Sequence, residues 1–176
     1  MRLLLITGLP GTGKTTLARR LAERYRAPLI AKDRIKEPLL DALGAGDRAW
    51  SRKLSDASFA VQFALVQELQ SSRIDVILEG NFRPGEHEQA LLPLLSDVRV
   101  AQVLCRIEET LRQARLASRR RDPARHRGHG DADPQVAADR SGDAFLDLPG
   151  ERLVFDNGDP AELIAALDRW WYEHEG

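Results

Sequence analysis

A chain of 176 residues predicts one domain, spanning 1–176, with room for a small inserted lid. It is 43% hydrophobic and 30% charged, an ordinary globular balance that excludes a wholly disordered chain. Lys and Arg number 26 against 27 Asp and Glu, for a net charge of −1, so the positive excess usual in proteins that live on nucleic-acid phosphates is absent overall, though a local basic patch stays open. Cys105 is the single cysteine, which excludes an internal disulfide and disfavours a cysteine-based zinc site. No apolar run reaches the roughly 18 residues of a membrane span. The start, Met1 to Gly8, has too short an apolar run for a signal peptide and leads straight into a glycine loop. These features predict a cytoplasmic protein without membrane contact.

In chain order, Leu3–Thr7 is a short apolar run stopped by glycine, the pattern of a buried parallel strand. Lys14–Tyr25 carries one apolar face at helical spacing. Pro28–Ala31 is a second strand, Ile35–Leu43 a short helix ended by Gly44-Ala45-Gly46, and Trp50–Arg73 a long helix with Phe59, Phe63, Val66 and Leu69 on one side. Asp75–Leu78 is a third strand ending at Glu79-Gly80. Glu86–Leu95 reads as a helix interrupted at Pro93, Val98–Cys105 as a fourth strand, and Glu108–Arg121 as a helix with arginine-rich later turns. Asp122–Asp143 lacks apolar periodicity and reads as a mobile loop, so that 108–143 forms a lid segment. Leu153–Phe155 is a fifth strand, and Pro160–Tyr172 a last helix begun by Asp159. Five strands alternating with helices predict an α/β fold, a mainly parallel five-stranded sheet covered on both faces, with ligands beyond the carboxyl ends of the strands.

Gly8-Leu9-Pro10-Gly11-Thr12-Gly13-Lys14-Thr15 matches G-x-x-x-x-G-K-[ST] between a strand and a helix, as in the three-layer P-loop NTPase fold. The glycines let successive N–H groups turn inward, and the start of the following helix adds its positive end, so the loop cradles phosphate. Lys14 is expected on the β and γ phosphates, Thr15 on Mg²⁺, and Thr16 on the α phosphate. A nucleoside triphosphate and Mg²⁺ follow. Kinase, GTPase and motor remain open at this point. The guanine-reading N-K-x-D segment is absent, and the chain is short for a motor, which favours a small kinase using ATP.

Asp33, after the second strand, is the candidate base that takes a proton from an acceptor hydroxyl, and Arg34 or Lys36 could bind the acceptor or steady the transition state. A helix cap is the bland alternative for Asp33. Val76-Ile77-Leu78-Glu79 has the form of a strand that ends in a metal-organising acid, with Glu where Asp is usual. Glu79 is therefore a candidate for Mg²⁺, a metal-bound water or the acceptor, and Asn81, Phe82 and Arg83 are placed to shape the acceptor pocket.

The phosphate loop, the acid after strand two, Glu79-Gly80-Asn81-Phe82-Arg83-Pro84 and the arginine-rich lid together resemble the small P-loop kinases. That group includes polynucleotide 5′-hydroxyl kinases, chloramphenicol phosphotransferase, zeta toxins, and gluconate and shikimate kinases. The likeness is strongest to the polynucleotide kinase-like branch and runs from Arg2 to about Tyr172. The resemblance implies that Asp33 is the general base. It usually has Arg three positions on, where this chain has Lys36, and Lys lacks the planar bidentate contact of Arg. It also implies a D-x-N pattern that falls on Glu79 and Asn81, the acid again a departure.

The resemblance further implies a lid that closes arginines onto ATP, with Arg115 and Arg119 matching its R-x-x-x-R spacing and acting as transition-state arginines. Arg112, Arg115 and Arg119 lie on one helical face, and an exposed basic helix or a nucleic-acid contact is the alternative. Arg125-His126-Arg127-Gly128-His129-Gly130-Asp131 resembles a segment of the same branch, and His126 and His129 are candidates to touch acceptor or nucleotide, with a metal site or an unspecialised loop as alternatives. In related kinases the loop matching Asp156–Asp159 lies beside adenine, which makes Asn157 a candidate reader of the base. The expected activity is ATP- and Mg²⁺-dependent phosphorylation of a small-molecule hydroxyl of the nucleoside, sugar or antibiotic class. The alternatives are a polynucleotide 5′-hydroxyl kinase and a nucleotide-gated switch without an acceptor. The sequence leaves the oligomeric state open.

Overall fold

The computed structural model describes residues 1–122, 126, 140 and 142–173. The elements run β1 (Arg2–Gly8), α1 (Lys14–Tyr25), β2 (Leu29–Ala31), α2 (Lys32–Leu43), α3 (Arg48–Ser71), β3 (Val76–Glu79), α4 (Glu88–Leu91) with a 3₁₀ turn over Leu92–Leu94, β4 (Arg99–Cys105), α5 (Glu109–Arg120), β5 (Glu151–Phe155) and α6 (Ala161–Tyr172). The strands form one sheet in the order β2-β3-β1-β4-β5, and every pairing is parallel.

The apolar runs of β1, β3 and β4 are buried on both faces, as a central parallel strand requires. Leu4, Ile6, Ile77 and Val103 pack under α1 and α6, against Leu17, Leu21, Leu167 and Trp171. Tyr25 stacks on Trp171 with ring centroids 4.2 Å apart. Leu3, Leu5, Val76 and Leu78 pack on the opposite face against Phe59, Phe63 and Val66 of α3 and Phe82 of the loop after β3. The strand order reverses direction at β1, so the chain leaves β1 and β3 on opposite sides of a crevice, the usual ligand position in such sheets.

Several boundaries differ from the sequence reading, each for a local reason. Helix α2 starts at Lys32, three residues before the expected Ile35, because Ala31 at its N-cap is already extended; Asp33 thus sits in the first helical turn and not in a loop. Helix α3 starts at Arg48, since the Asp47 side chain accepts from Trp50 N at 2.8 Å. It ends before Arg73, which takes φ 53°. The helix expected over Glu86–Leu95 shrinks to Glu88–Leu91 and a 3₁₀ turn, because Pro93 supplies no N–H. Glu108 caps α5 by accepting from the N–H groups of Thr110 and Leu111. Asp159 accepts from Ala161 N at 3.0 Å at the start of α6. Apart from Asp122, His126, Arg140, Gly142 and Asp143, the segment 122–143 lies outside the described residues. Among the described residues, no helix is long and apolar enough to cross a membrane.

Candidate active site

The loop between β1 and α1 stands at the carboxyl end of the sheet. Gly8 has φ 142°, and a Cβ on it would approach Cys105 O on β4 to 2.3 Å. Gly13 has φ 91°, and its Cβ would meet Asn157 Nδ2 at 2.6 Å. At Gly8 the backbone of β4 leaves no room for a side chain, and at Gly13 the positive φ makes one strained and the Asn157 amide would have to move. Thr12 closes the turn, its Oγ1 donating to Leu9 O at 2.8 Å and its N–H to the same oxygen at 3.3 Å. Lys14 Nζ lies 3.4 Å from Leu9 O and 3.9 Å from Glu79 Oε1.

Three side chains brace this loop from behind. Arg112, only 1% exposed, donates through Nη1 to Pro10 O at 3.3 Å. Its other nitrogens make two 2.8 Å bonds to Glu109, which also pairs with Arg140 at 2.9 Å. The Arg112 hydrogen bond and a second from Gln113 hold the Glu109 carboxyl down at about 2. Arg115 donates to Gly11 O at 3.4 Å and to Asn157 Oδ1 at 2.9 Å, and Asn157 Nδ2 donates to Thr12 O at 2.6 Å. The arginine face expected to close on nucleotide is therefore divided: Arg112 and Arg115 grip the loop, and Arg119 alone of the three lines the cavity in front of it.

That cavity has a volume of about 860 Å³. It runs from Lys14, Thr15 and Thr16 past Asp33 and Glu79 to Lys36, Asn81 and Arg83, with His126 at its wall. Three of the chain's 4 lysines, Lys14, Lys32 and Lys36, line it, in a chain with 22 arginines. Arg34 is exposed on α2 and does not line it, because positions 33, 36 and 37 share one helical stripe that 34 leaves. His129, Arg125 and Arg127 lie outside the described residues.

Glu79 is 4% exposed at the end of β3. Burial pushes its carboxyl above the usual range, against the pull of Lys14 and a hydrogen bond from the Thr15 hydroxyl. A hydroxyl and a carboxylate in contact suit a hard, oxygen-seeking cation such as Mg²⁺, whose charge would hold Glu79 ionised. Asp33 is half-buried, with its Oδ1 3.1 Å from Lys32 Nζ.

Two contributors escaped the sequence reading. Gln62, fully buried on α3, donates from Nε2 to Ile30 O at 2.6 Å and Glu79 O at 3.1 Å. One amide thereby fixes the ends of β2 and β3, from which Asp33 and Glu79 project. A glutamine inside an apolar helical face was its only signal. His87, buried among Phe59, Phe63 and Phe82, accepts from Arg83 N through Nδ1 at 3.0 Å and so sets the loop that carries Arg83.

The model of the AAA_33 family, described as an AAA domain, matches residues 3–133. The chain belongs to this family. Its AAA_33 fold is P-loop kinase-like, and likeness to solved structures extends over the whole chain. A "putative kinase" from Chloroflexus aurantiacus is 30% identical, with 98% of each chain covered and a TM-score of 0.85. A sugar kinase from Janibacter sp. HTCC2649 shares the fold at 12% identity, with 97% of this chain and 94% of that one covered and a TM-score of 0.63. The Pnkp1/Rnl/Hen1 RNA repair complex matches in fold at 18% identity and a TM-score of 0.52, over 68% of this chain and 38% of that one. Among curated proteins, none matches the AAA_33 chain.

Proposed function

We propose that the protein is an ATP- and Mg²⁺-dependent kinase that transfers the γ-phosphoryl group to a hydroxyl of a small molecule. The observation that carries this reading is that one cavity is lined both by the phosphate loop and by Asp33, Lys36, Asn81 and Arg83, a polar wall beyond what the loop itself supplies. A switch that only binds and hydrolyses nucleotide has no need of that wall.

In this reading the loop N–H groups and Lys14 hold the phosphates, and Thr15 and Glu79 would hold Mg²⁺, which would supply positive charge to offset that of the phosphates. Asp33 accepts the acceptor's proton. The acceptor oxygen forms a bond to the γ phosphorus as the bond to the β–γ bridging oxygen breaks, and ADP leaves with that electron pair. Arg119 gains strength as negative charge spreads over the transferring group.

The test is transfer of labelled γ-phosphate from ATP to hydroxyl-bearing metabolites, antibiotics and 5′-hydroxyl oligonucleotides. A labelled small product supports the proposal. ATP consumption without any phosphorylated acceptor overturns it in favour of a switch. Exclusive labelling of oligonucleotides, the second reading that a cationic cavity wall supports, overturns the small-molecule acceptor.

A further inference from the structure

The part of the cavity wall built from α3, Lys36 and Arg83 has a composition that a simple alcohol does not require. Helix α3 presents Arg48, Ser51, Arg52 and Ser55 to it at i, i+3, i+4 and i+7, one continuous polar stripe. Opposite lie Lys36 of α2 and Arg83 of the loop after β3, 7% and 8% exposed. Lys36 Nζ donates to Ser51 Oγ at 2.8 Å and forms no ion pair among the described residues. An ammonium carries three donors and no acceptor, so most of its capacity is unspent. Arg83 uses Nη1 on Glu86 at 2.7 Å, with Asp56 at 3.8 Å, while its Nε is buried with no hydrogen-bond partner among the described residues.

Two buried cations that repel one another are costly unless something compensates them. Burial first, then Lys32, and also Arg83 lower Lys36 to about 8, with Asp33 and Asp56 opposing. Glu86 and Asp56 lie outside the cavity wall and answer Arg83 more than Lys36. The hydroxyls of Ser51 and Ser55 add donors of the kind that complete an oxyanion shell.

We propose that Lys36, Arg83, Ser51 and Ser55, with Arg48 and Arg52 at the rim, form an anion subsite, so that the acceptor is a hydroxyl compound that also carries a phosphate or carboxylate group. This rests on the kinase reading for the word acceptor, but the subsite itself is a statement about binding. The subsite holds the acceptor's anionic end, and Asp33, on the same stripe of α2 as Lys36, meets its hydroxyl.

The test uses three matched compounds: a neutral polyol, its carboxylate derivative and its phosphate monoester. Each is assayed for phosphoryl transfer from ATP, and for binding to the protein with Mg²⁺ and ADP by calorimetry. At least one anionic member is expected to exceed the neutral one by about tenfold or more, the scale of a charge-assisted hydrogen bond. Which anionic member wins separates phosphate from carboxylate. Lys36→Met and Arg83→Gln are expected to remove the preference while leaving ATP affinity intact. If the buried variants fail to fold, Arg48→Glu combined with Arg52→Glu at the exposed rim is expected to reduce it severalfold. Equal use of all three compounds, or a preference untouched by these variants, overturns the subsite and leaves the kinase reading standing. Tight binding of an anionic compound with no transfer overturns the kinase reading and supports the subsite. Neither binding nor transfer with any of the three overturns both.

Discussion

Arg115 donates to Asn157 at 2.9 Å, and Asn157 in turn donates to the loop carbonyl of Thr12, so α5 and the turn after β5 hold the phosphate loop from its rear. Arg119, one helical turn further on, lines the cavity in front. The two arginines are expected to fail differently. Arg115→Ala or Asn157→Ala loosens the loop. About one hydrogen bond's worth of stability, roughly 1 kcal/mol, is expected to go, and the KM for ATP to rise about tenfold. Arg119→Ala is expected to lower kcat by roughly ten- to a hundredfold with little change in KM. Steady-state kinetics with a thermal melt decides, and the reverse pattern would exchange the two roles.

Lys14→Ala is expected to reduce kcat/KM by at least about a hundredfold, since one oriented charge on a transferring phosphoryl group is worth roughly 3 kcal/mol. Near-parental turnover in a folded variant would remove the loop from the mechanism.

Asp33→Asn keeps shape and loses charge. Transfer is expected to fall by roughly a hundred- to ten-thousandfold, while Mg²⁺–ATP binding, measured by calorimetry, stays close to parental. Asp33 lies in the first turn of α2 and Ala31 stands at the N-cap, so loss of a cap does not account for such a drop. Parental transfer rates in this variant would end the general-base assignment.

Lys36 gives a pH prediction with a definite sign. Its folded value, near 8, lies below the ordinary 10.5. Below about pH 8 the lysine is charged in both states, and the cost of burying that charge is borne in full. From about pH 8 to about 10.5 the unfolded chain binds more protons than the folded one, so stability rises with pH. Lys36→Met removes that contribution. Urea midpoints of parent and variant, compared across this window, are expected to converge or cross as the pH increases. A constant offset would show that Lys36 titrates normally.

The fold and the glycine loop at the carboxyl end of β1 were legible because their signals are local. Apolar runs stopped by glycine mark the parallel strands, and the spacing of Gly8, Gly13 and Lys14 carries its geometry with it. That Asp33 and Glu79 line one cavity follows from their places at the ends of two adjacent strands. The wall formed by α3, Lys36 and Arg83 was less legible, because it is assembled across distance. The expected helix begins at Trp50 and so leaves out Arg48, and nothing local in Ser51, Arg52 and Ser55 shows that they share a cavity wall with Arg83. Gln62 reads as an intruder in an apolar face until two strand ends arrive at its amide. Arg112 was grouped with Arg115 and Arg119 by helical spacing, yet its neighbour Glu109 at i−3 held the clue that its charge is answered within the helix. Spacing alone does not say which arginine goes under the loop and which over the cavity.

The sheet order has a consequence for how the chain reaches its folded state. β1 lies between β3 and β4, so the strand that carries the phosphate loop is synthesised before either of its hydrogen-bonding neighbours. Nor can β2 rescue it, since β2 pairs only with β3. Until Val76–Glu79 emerges, β1 is an apolar segment with two open edges, and these are the edges on which aggregation starts. Parallel pairing across such separations closes large loops before any contact repays them, so folding is expected to be slow for the chain's size. Nascent chains halted between α3 and β3 should therefore depend on a holding chaperone, and chains halted after β4 should not.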